Sequence, residues 1–267
     1  MADDLDNGLI NSLADAIADV AAEAGALALA RWTDDFARWE KSPGNPVSDI
    51  DLEVNALIKA RLTAIDAAAG WLSEETADNP DRLACNRLWV VDPIDGTRDY
   101  LRGRPGWAVS IALVDGGVPI VGVLDAPARH EQWRAVLGGG ATRNGVTIAA
   151  GSRTEFIGSR VPTDQLPRND ADLVMVDKPN SIALRIGMVA ADEADLVATL
   201  RWGFEWDIAA AALIATEAGA KVSDAFGNMI AFNTPSAQAF GLLATTPGIH
   251  AAAVDRLADR AKALAPR

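Results

Sequence analysis

Within the stretch WVVDPIDGTRDYL (89–101), two carboxylates, Asp92 and Asp95, stand three residues apart around a proline, just ahead of Gly96-Thr97. Pro93 biases Asp92 towards an extended backbone and donates no hydrogen bond. A bend after it folds Asp95 back beside Asp92 and points the Ile94 carbonyl into the same space. Gly96-Thr97 then opens a helical turn whose N–H groups suit an anion. Taken alone, the pattern equally satisfies an ordinary Pro-Asp-Gly turn with solvated acids. The other acidic positions carry the same double reading. Glu74 and Glu75 follow an apolar pair in WLSEETAD, where a loop glutamate is commonly solvated. Asp51 lies three residues after Ser48, the spacing of a capping box. Asp207 heads a helical run, where an acid caps the helix or meets its dipole. Gathered into one pocket, such groups suit a hard divalent cation such as Mg2+, which takes oxygen ligands and shares a substrate phosphate.

Other chemistries lack their residues. There is no G-x-x-x-x-G-K-[ST], no G-x-G-x-x-G and no G-x-S-x-G. Cys85 is followed six residues on by Val91 rather than arginine, and DIDLE (49–53) ends in glutamate where an aspartyl-nucleophile phosphatase needs Thr or Val. His130 sits in the turn-like PARHEQW, and no Cys/His cluster suggests zinc. The net charge of −13 opposes binding to a nucleic acid polymer. It also repels a phosphorylated substrate unless a bound cation inverts the local field. No apolar stretch reaches membrane-spanning length, and MADDLDNGLI lacks the plan of a signal peptide. With a single cysteine, the expected compartment is the cytoplasm.

Positioning these acids requires a particular set of elements. An Ala-rich helix is expected over 9–31, and a second within PVSDIDLEVNALIKARLTAI with Ser48 as N-cap. RLWVV and GWAVSIALVDGGVPIVGVLDAP read as strands, ending at Asp92 in the first case and joined at Asp115-Gly116-Gly117 in the second. GGGATRNGV (138–146) reads as a Gly-rich turn region and a domain edge. Beyond it, strand-like runs such as DLVMV alternate with helical ones, including a helix from about 207 to Gly219 and a tail helix over 249–266. Helices followed by antiparallel strands indicate an α+β first half. The eight tryptophans are expected mainly in packing.

KSPGNPVSDID, SEE, WVVDPIDGT and EWDIAAAALIATEAGA occur in that order. The set closely resembles the inositol monophosphatase superfamily, lithium-sensitive and Mg2+-dependent phosphomonoesterases, whose signatures are D-P-[IL]-D-G-T and W-D-x-A-A…E-A-G. GGGATRNG is similar to the family's G-x-G-A-x-x-N-G turn. The resemblance covers about residues 20 to 245. It implies a layered αβαβα sandwich of the inositol monophosphatase and fructose-bisphosphatase type. Residues 1–147 would be an α+β part with an antiparallel sheet and most of the metal ligands, and 148–267 an α/β part supplying Asp207 and substrate contacts. It implies two or three Mg2+ ions. Glu74, Asp92 and the Ile94 carbonyl would hold one; Asp92, Asp95 and Asp207 a second; and Glu74, through waters, would help hold a third. Thr97 and Asp51 would orient and deprotonate the attacking water, and the Gly96 and Thr97 N–H groups would take the phosphate. Family members are often dimers, so a homodimer is expected.

The substrate stays open between an inositol monophosphate and 3'-phosphoadenosine 5'-phosphate, with histidinol phosphate or another sugar phosphate as the alternative. A non-catalytic phosphate-ester binder on the same fold is a further alternative. NSIALRIGMVAADEADLVATLRWGFEWD is closer to the bisphosphate nucleotidase pattern, with Arg185 in place of a lysine that meets a second phosphate. A solvated helix charge explains Arg185 equally well. Ile182 and Ala183 replace small polar residues of that pattern, and Leu200 falls near the glutamate that inositol enzymes use on hydroxyls. Arg98 stands where Thr or Lys is usual.

Overall fold

Buried Ala14, Ile17, Ala21, Ala24 and Ala28 recur every three or four residues along the first helix, α1 (Asn7–Arg31). That period lays one face on a sheet, and the small side chains bring the helix close to it. The computed structural model describes residues 7–32, 37–42 and 45–265. Pro43-Gly44 of the first motif and residue 266 of the expected tail helix lie outside the described residues. A short hairpin, β1 (Arg38–Ser42) with β2 (Asn45–Ser48), leads into α2 (Asp49–Ile65), so Pro46 and Val47 belong to a strand rather than to the helix.

The main sheet follows: β3 (Gly70–Ser73), β4 (Arg87–Asp95), β5 (Ala108–Asp115), β6 (Val118–Ala126), β7 (Glu131–Val136), β8 (Gly140–Arg143) and β9 (Val146–Thr147), adjacent in chain order. A short helix, α3 (Thr97–Leu101), interrupts it between β4 and β5. The sheet is antiparallel apart from β3 and β4, which run parallel, so it is mixed rather than purely antiparallel. Gly116 and Gly117 both have positive φ, 55° and 83°, as the tight β5–β6 turn requires. The expected Gly-rich turn region holds two turns, one at Gly138 between β7 and β8, φ 73°, and one at Asn144-Gly145 between β8 and β9, φ 51° and 75°, with the short strand β8 between them.

The remaining chain gives a parallel pair, β10 (Arg160–Pro162) and β11 (Val174–Val176), then α4 (Ile182–Ala190), β12 (Leu196–Phe204) and α5 (Glu205–Glu217). It closes with β13 (Lys221–Ser223), β14 (Gln238–Thr245) and α6 (His250–Leu264). Strands β12, β14 and β13 form a second, antiparallel sheet in that order. Gly219, φ 89°, ends α5 in the left-handed cap geometry expected of it.

Strand alternation sorts these elements into five layers. One face of the main sheet packs Trp89, Val91, Ile111 and Val123 on α1 and α2. The other face packs Leu88, Val90, Ala112 and Leu124 on α4 and α5. The far side of those helices meets Val197, Leu242 and Ala244 of the second sheet. The alternate residues Leu196 and Leu243 pack on Ala253 and Leu257 of α6. The αβαβα sandwich is therefore built by side-chain period, with one core between the two sheets and one on the outer face of each. Among the described residues no helix is long and apolar enough to cross a membrane.

Candidate active site

Strand pairing brings the first two acids together. In the parallel β3–β4 register Ser73 lies opposite Val91, so the next residues, Glu74 just past the end of β3 and Asp92 still within β4, come side by side. The Glu74 N–H donates to the Val91 carbonyl at 3.3 Å. Strand β4 does not end at Asp92. It continues through Pro93 to Asp95 with a bulge between the two aspartates, Asp92 facing Ser110 and Asp95 facing Ala108. A bulge re-aims side chains without leaving the sheet, and here it brings Asp95 near Asp92. The Ile94 N–H donates back to Asp92 Oδ1 at 2.9 Å.

Asp207 arrives from α5. It occupies the first turn, and its Oδ2 accepts from the Phe204 N–H at 3.4 Å. The helix start is anchored by fully buried Glu205, whose carboxylate accepts from the Asn233 and Thr234 N–H groups and from the Thr234 hydroxyl, at 2.6 to 2.8 Å. Arg82 braces the same loop by donating to Asn233 Oδ1 and the Thr234 carbonyl at 2.8 and 2.9 Å.

Glu74, Asp92 and Asp207 each present an oxygen within 4.8 Å of the others. Burial, then repulsion from Glu74, Asp95 and Asp207, holds the Asp92 carboxyl well above the usual carboxylate range. Burial, then Asp95 and Glu74, raises Asp207 in the same way. An all-oxygen, anionic and partly buried donor set of this kind fits a hard divalent cation.

Asp51 and Thr97 meet across two elements. Ser48 caps α2 in a complete capping box, donating to Asp51 Oδ2 from its N–H at 2.8 Å and its hydroxyl at 2.6 Å. The other oxygen, Oδ1, lies 3.5 Å from Thr97 Oγ1, which also donates to the Ile94 carbonyl at 3.0 Å. Asp51 thus serves as cap and as partner of Thr97 at once. Gly96 precedes α3 with φ 96°, and a Cβ there would stand 2.6 Å from the Gly106 carbonyl oxygen and 2.8 Å from the Ser181 nitrogen. Only glycine allows both that backbone and that approach.

Asp95 stands beside the trio but turns to α4. Its Oδ2 accepts from Ser181 Oγ at 2.5 Å and the Ala183 N–H at 2.7 Å, while Oδ1 makes the longer contact, 3.4 Å, with the Ile182 N–H. Burial pushes its carboxyl up to about 6 against these donors and the nearby Arg185. Arg185 is neither a solvated helix charge nor extended into open space. Its Nε donates to the Pro179 carbonyl at 2.9 Å and Nη2 to that of Asn180 at 2.5 Å, and burial lowers its pKa. It fastens the loop that carries Ser181.

Two further residues support the site. Ser181 caps α4 and holds Asp95; a serine directly before an apolar helical run was its available signal. Asn55, one turn after Asp51 on α2, bonds Ser73 Oγ at 2.7 Å and Thr76 Oγ1 at 3.0 Å, and so fixes the loop bearing Glu74. Nothing local marks Asn55.

The chain is similar to known proteins in sequence and in fold. The family model described as "Inositol monophosphatase family" matches residues 10–265. An inositol-1-monophosphatase of Mesorhizobium japonicum is 35% identical over 202 residues, 70% of this chain and 75% of that protein. A histidinol-phosphatase of Mycobacterium tuberculosis is 39% identical over 126 residues, 43% of this chain and 48% of that protein. The crystal structure of the extragenic suppressor protein SuhB from Bartonella henselae superposes with a TM-score of 0.80 at 25% identity, covering 92% of this chain and 98% of that one.

Proposed function

The chain belongs to the inositol monophosphatase family and is a phosphoric monoester hydrolase; from that premise we propose that it hydrolyses a small phosphate ester by direct attack of water, without a covalent enzyme intermediate. The observation that carries the reading is the meeting of Glu74, Asp92 and Asp207 within 4.8 Å, next to the Asp51–Thr97 pair. Mg2+, on which the family generally depends, supplies when bound the positive charge that draws in a phosphate, acidifies water and steadies the leaving oxygen. Glu74, Asp92 and the Ile94 carbonyl would hold one ion. Asp92, Asp95 through Oδ1, and Asp207 would hold a second, and Glu74 would help hold a third through waters. With the Ile94 carbonyl taken up by an ion, the Thr97 hydroxyl would turn its one proton to Asp51 Oδ1, and Thr97 Oγ1 would accept the proton of the attacking water as its own passes to that carboxylate. The Gly96 and Thr97 N–H groups, at the start of α3, receive phosphate oxygens.

The cleft edge favours an ester that carries a planar ring. Phe204, 39% exposed, stacks on Trp206 with centroids 4.3 Å apart and planes 6° apart, and its backbone touches Asp207. Such a ring is a platform for adenine or imidazole, worth about 1–3 kcal/mol per stacked base. Leu200, near the place of the glutamate that inositol enzymes use on hydroxyls, packs on the α6 side of the second sheet and offers the hydroxyls no polar partner. Among the candidates, 3'-phosphoadenosine 5'-phosphate or histidinol phosphate is thus preferred over inositol 1-phosphate. Arg185, holding the Ser181 loop beside Asp95, acts as a positioning residue. Phosphate release from these esters and from fructose 1,6-bisphosphate tests the reading. Turnover that survives chelation of divalent cations, or Asp95→Asn, would overturn it. A homodimer is the expected assembly, to be checked by light scattering.

A further inference from the structure

A second cavity, of about 590 Å³, opens beside α3 and is lined by Arg98, Arg102, Arg104, Arg129 and Lys178 among others. This concentration of cations stands out in a chain of 24 basic and 37 acidic side chains. The cavity wall also carries Asp99, Asp164 and the exposed Asp177, two fewer acids than basic residues. Asp164 pairs with Lys178, and buried Asp99 accepts from the Asn180 N–H at 3.0 Å. Arg129 is held by Glu131 at 3.1 Å. Arg102 and Arg104 are exposed and form no ion pair among the described residues.

The loop that presents these two arginines is rigid. The Arg102 and Arg104 N–H groups donate to the Asp99 carbonyl at 3.1 and 2.9 Å, and Gly103 turns the chain with φ 65°. Fully buried Tyr100 pins the loop to α1 through the Ala28 carbonyl at 2.8 Å. Two guanidinium groups on one backbone-fixed turn, with further cations around one cavity, present a fork for phosphate oxygens. The volume lies within the range of small-ligand sites. None of Glu74, Asp92, Asp95, Thr97 and Asp207 lines the cavity. Gly106 and Asn180 form the wall between it and the Gly96–Ser181 side.

We propose that this cavity binds a small phosphate-bearing anion of two or more negative charges, at a site separate from the carboxylate cluster. Inorganic pyrophosphate is the probe, titrated calorimetrically into the full chain in buffer stripped of divalent cations by a chelating resin. Under those conditions the carboxylate cluster repels phosphate. One saturable site is expected, weakened by added salt. The double variant Arg102→Gln/Arg104→Gln should lose about tenfold or more in affinity, with a smaller loss for each single variant. Its phosphatase turnover with Mg2+ should stay at the wild-type level, which reports an intact fold. Asp92→Asn should leave pyrophosphate binding unchanged. The proposal is overturned if wild type shows no saturable binding, if the double variant binds equally well, or if Asp92→Asn alters the affinity.

Discussion

Replacing Asp92 with asparagine should make the metal-free protein more stable and inactive. Asp92 is 2% exposed and faces Glu74 and Asp207 with oxygens within 4.8 Å. At that distance and an effective dielectric constant of about 20, one ionised pair repels by about 3.5 kcal/mol, and Asp92 has two such neighbours. Proton uptake limits the cost. Holding one carboxyl of ordinary pKa 3.8 protonated at pH 7 takes about 4 kcal/mol. Glu74 and Asp207 are half-buried, so water screens part of the repulsion. The net gain expected for Asp92→Asn is about 2–3 kcal/mol, or about 1 M in urea midpoint. The variant keeps an amide oxygen for the Ile94 N–H, now at 2.9 Å from Asp92 Oδ1. Urea unfolding without divalent cations measures the gain, and phosphate release measures the loss. Saturating Mg2+ should reverse the order, since a hundredfold excess over Kd stabilises wild type by about 2.7 kcal/mol and the weakened site by less. An equal or lower midpoint for metal-free Asp92→Asn, or the same Mg2+ stabilisation of both proteins, would refute the reasoning.

Thr97→Ala should cut kcat by about 10²–10⁴ with Mg2+ affinity retained, whereas Thr97→Ser keeps the hydroxyl and most of the rate; steady-state kinetics and Mg2+ titration compare them. Gly96→Ala meets both a φ of 96° and a carbonyl 2.6 Å from its methyl, so a loss of about 2–4 kcal/mol is expected in urea unfolding. Asp125, buried beneath α1, has its carboxyl raised by burial to about 6, opposed by a hydrogen bond from Gln132. Its folded value exceeds the ordinary 3.8, so the stability it adds is complete below pH 3.8 and is lost as pH rises through about 6. Asp125→Asn should remove that part of the pH dependence, at most about 3 kcal/mol between pH 4 and 7. Gly25→Ala would place a methyl 2.0 Å from Asp125 Oδ2 and should destabilise by about 1–3 kcal/mol despite alanine's better helix propensity, as thermal unfolding would show.

Much of the fold was legible because its signals are local. Turn chemistry marked Asp115-Gly116-Gly117, cap spacing marked Ser48 and Asp51, and helical period marked α1, α2 and α5. The D-P-I-D-G-T run marked a bend with acids on it, since proline and glycine act on their own and adjacent backbone angles. What lay beyond local signals depended on register between distant strands. The parallel pairing of β3 with β4 sets Glu74 beside Asp92, and no residue near Glu74 announces that partner. The bulge that carries β4 on to Asp95 was read as a strand end, because proline suits either. The hold of Ser181 on Asp95 likewise arises only when α4 packs against the main sheet, and Arg129 and Lys178 join Arg98, Arg102 and Arg104 around the second cavity only in the folded chain. Side-chain types and spacing state which chemistry a chain is equipped for. Long-range packing decides which groups share a pocket, because the energy of bringing like charges together is set by distances that only the folded chain fixes.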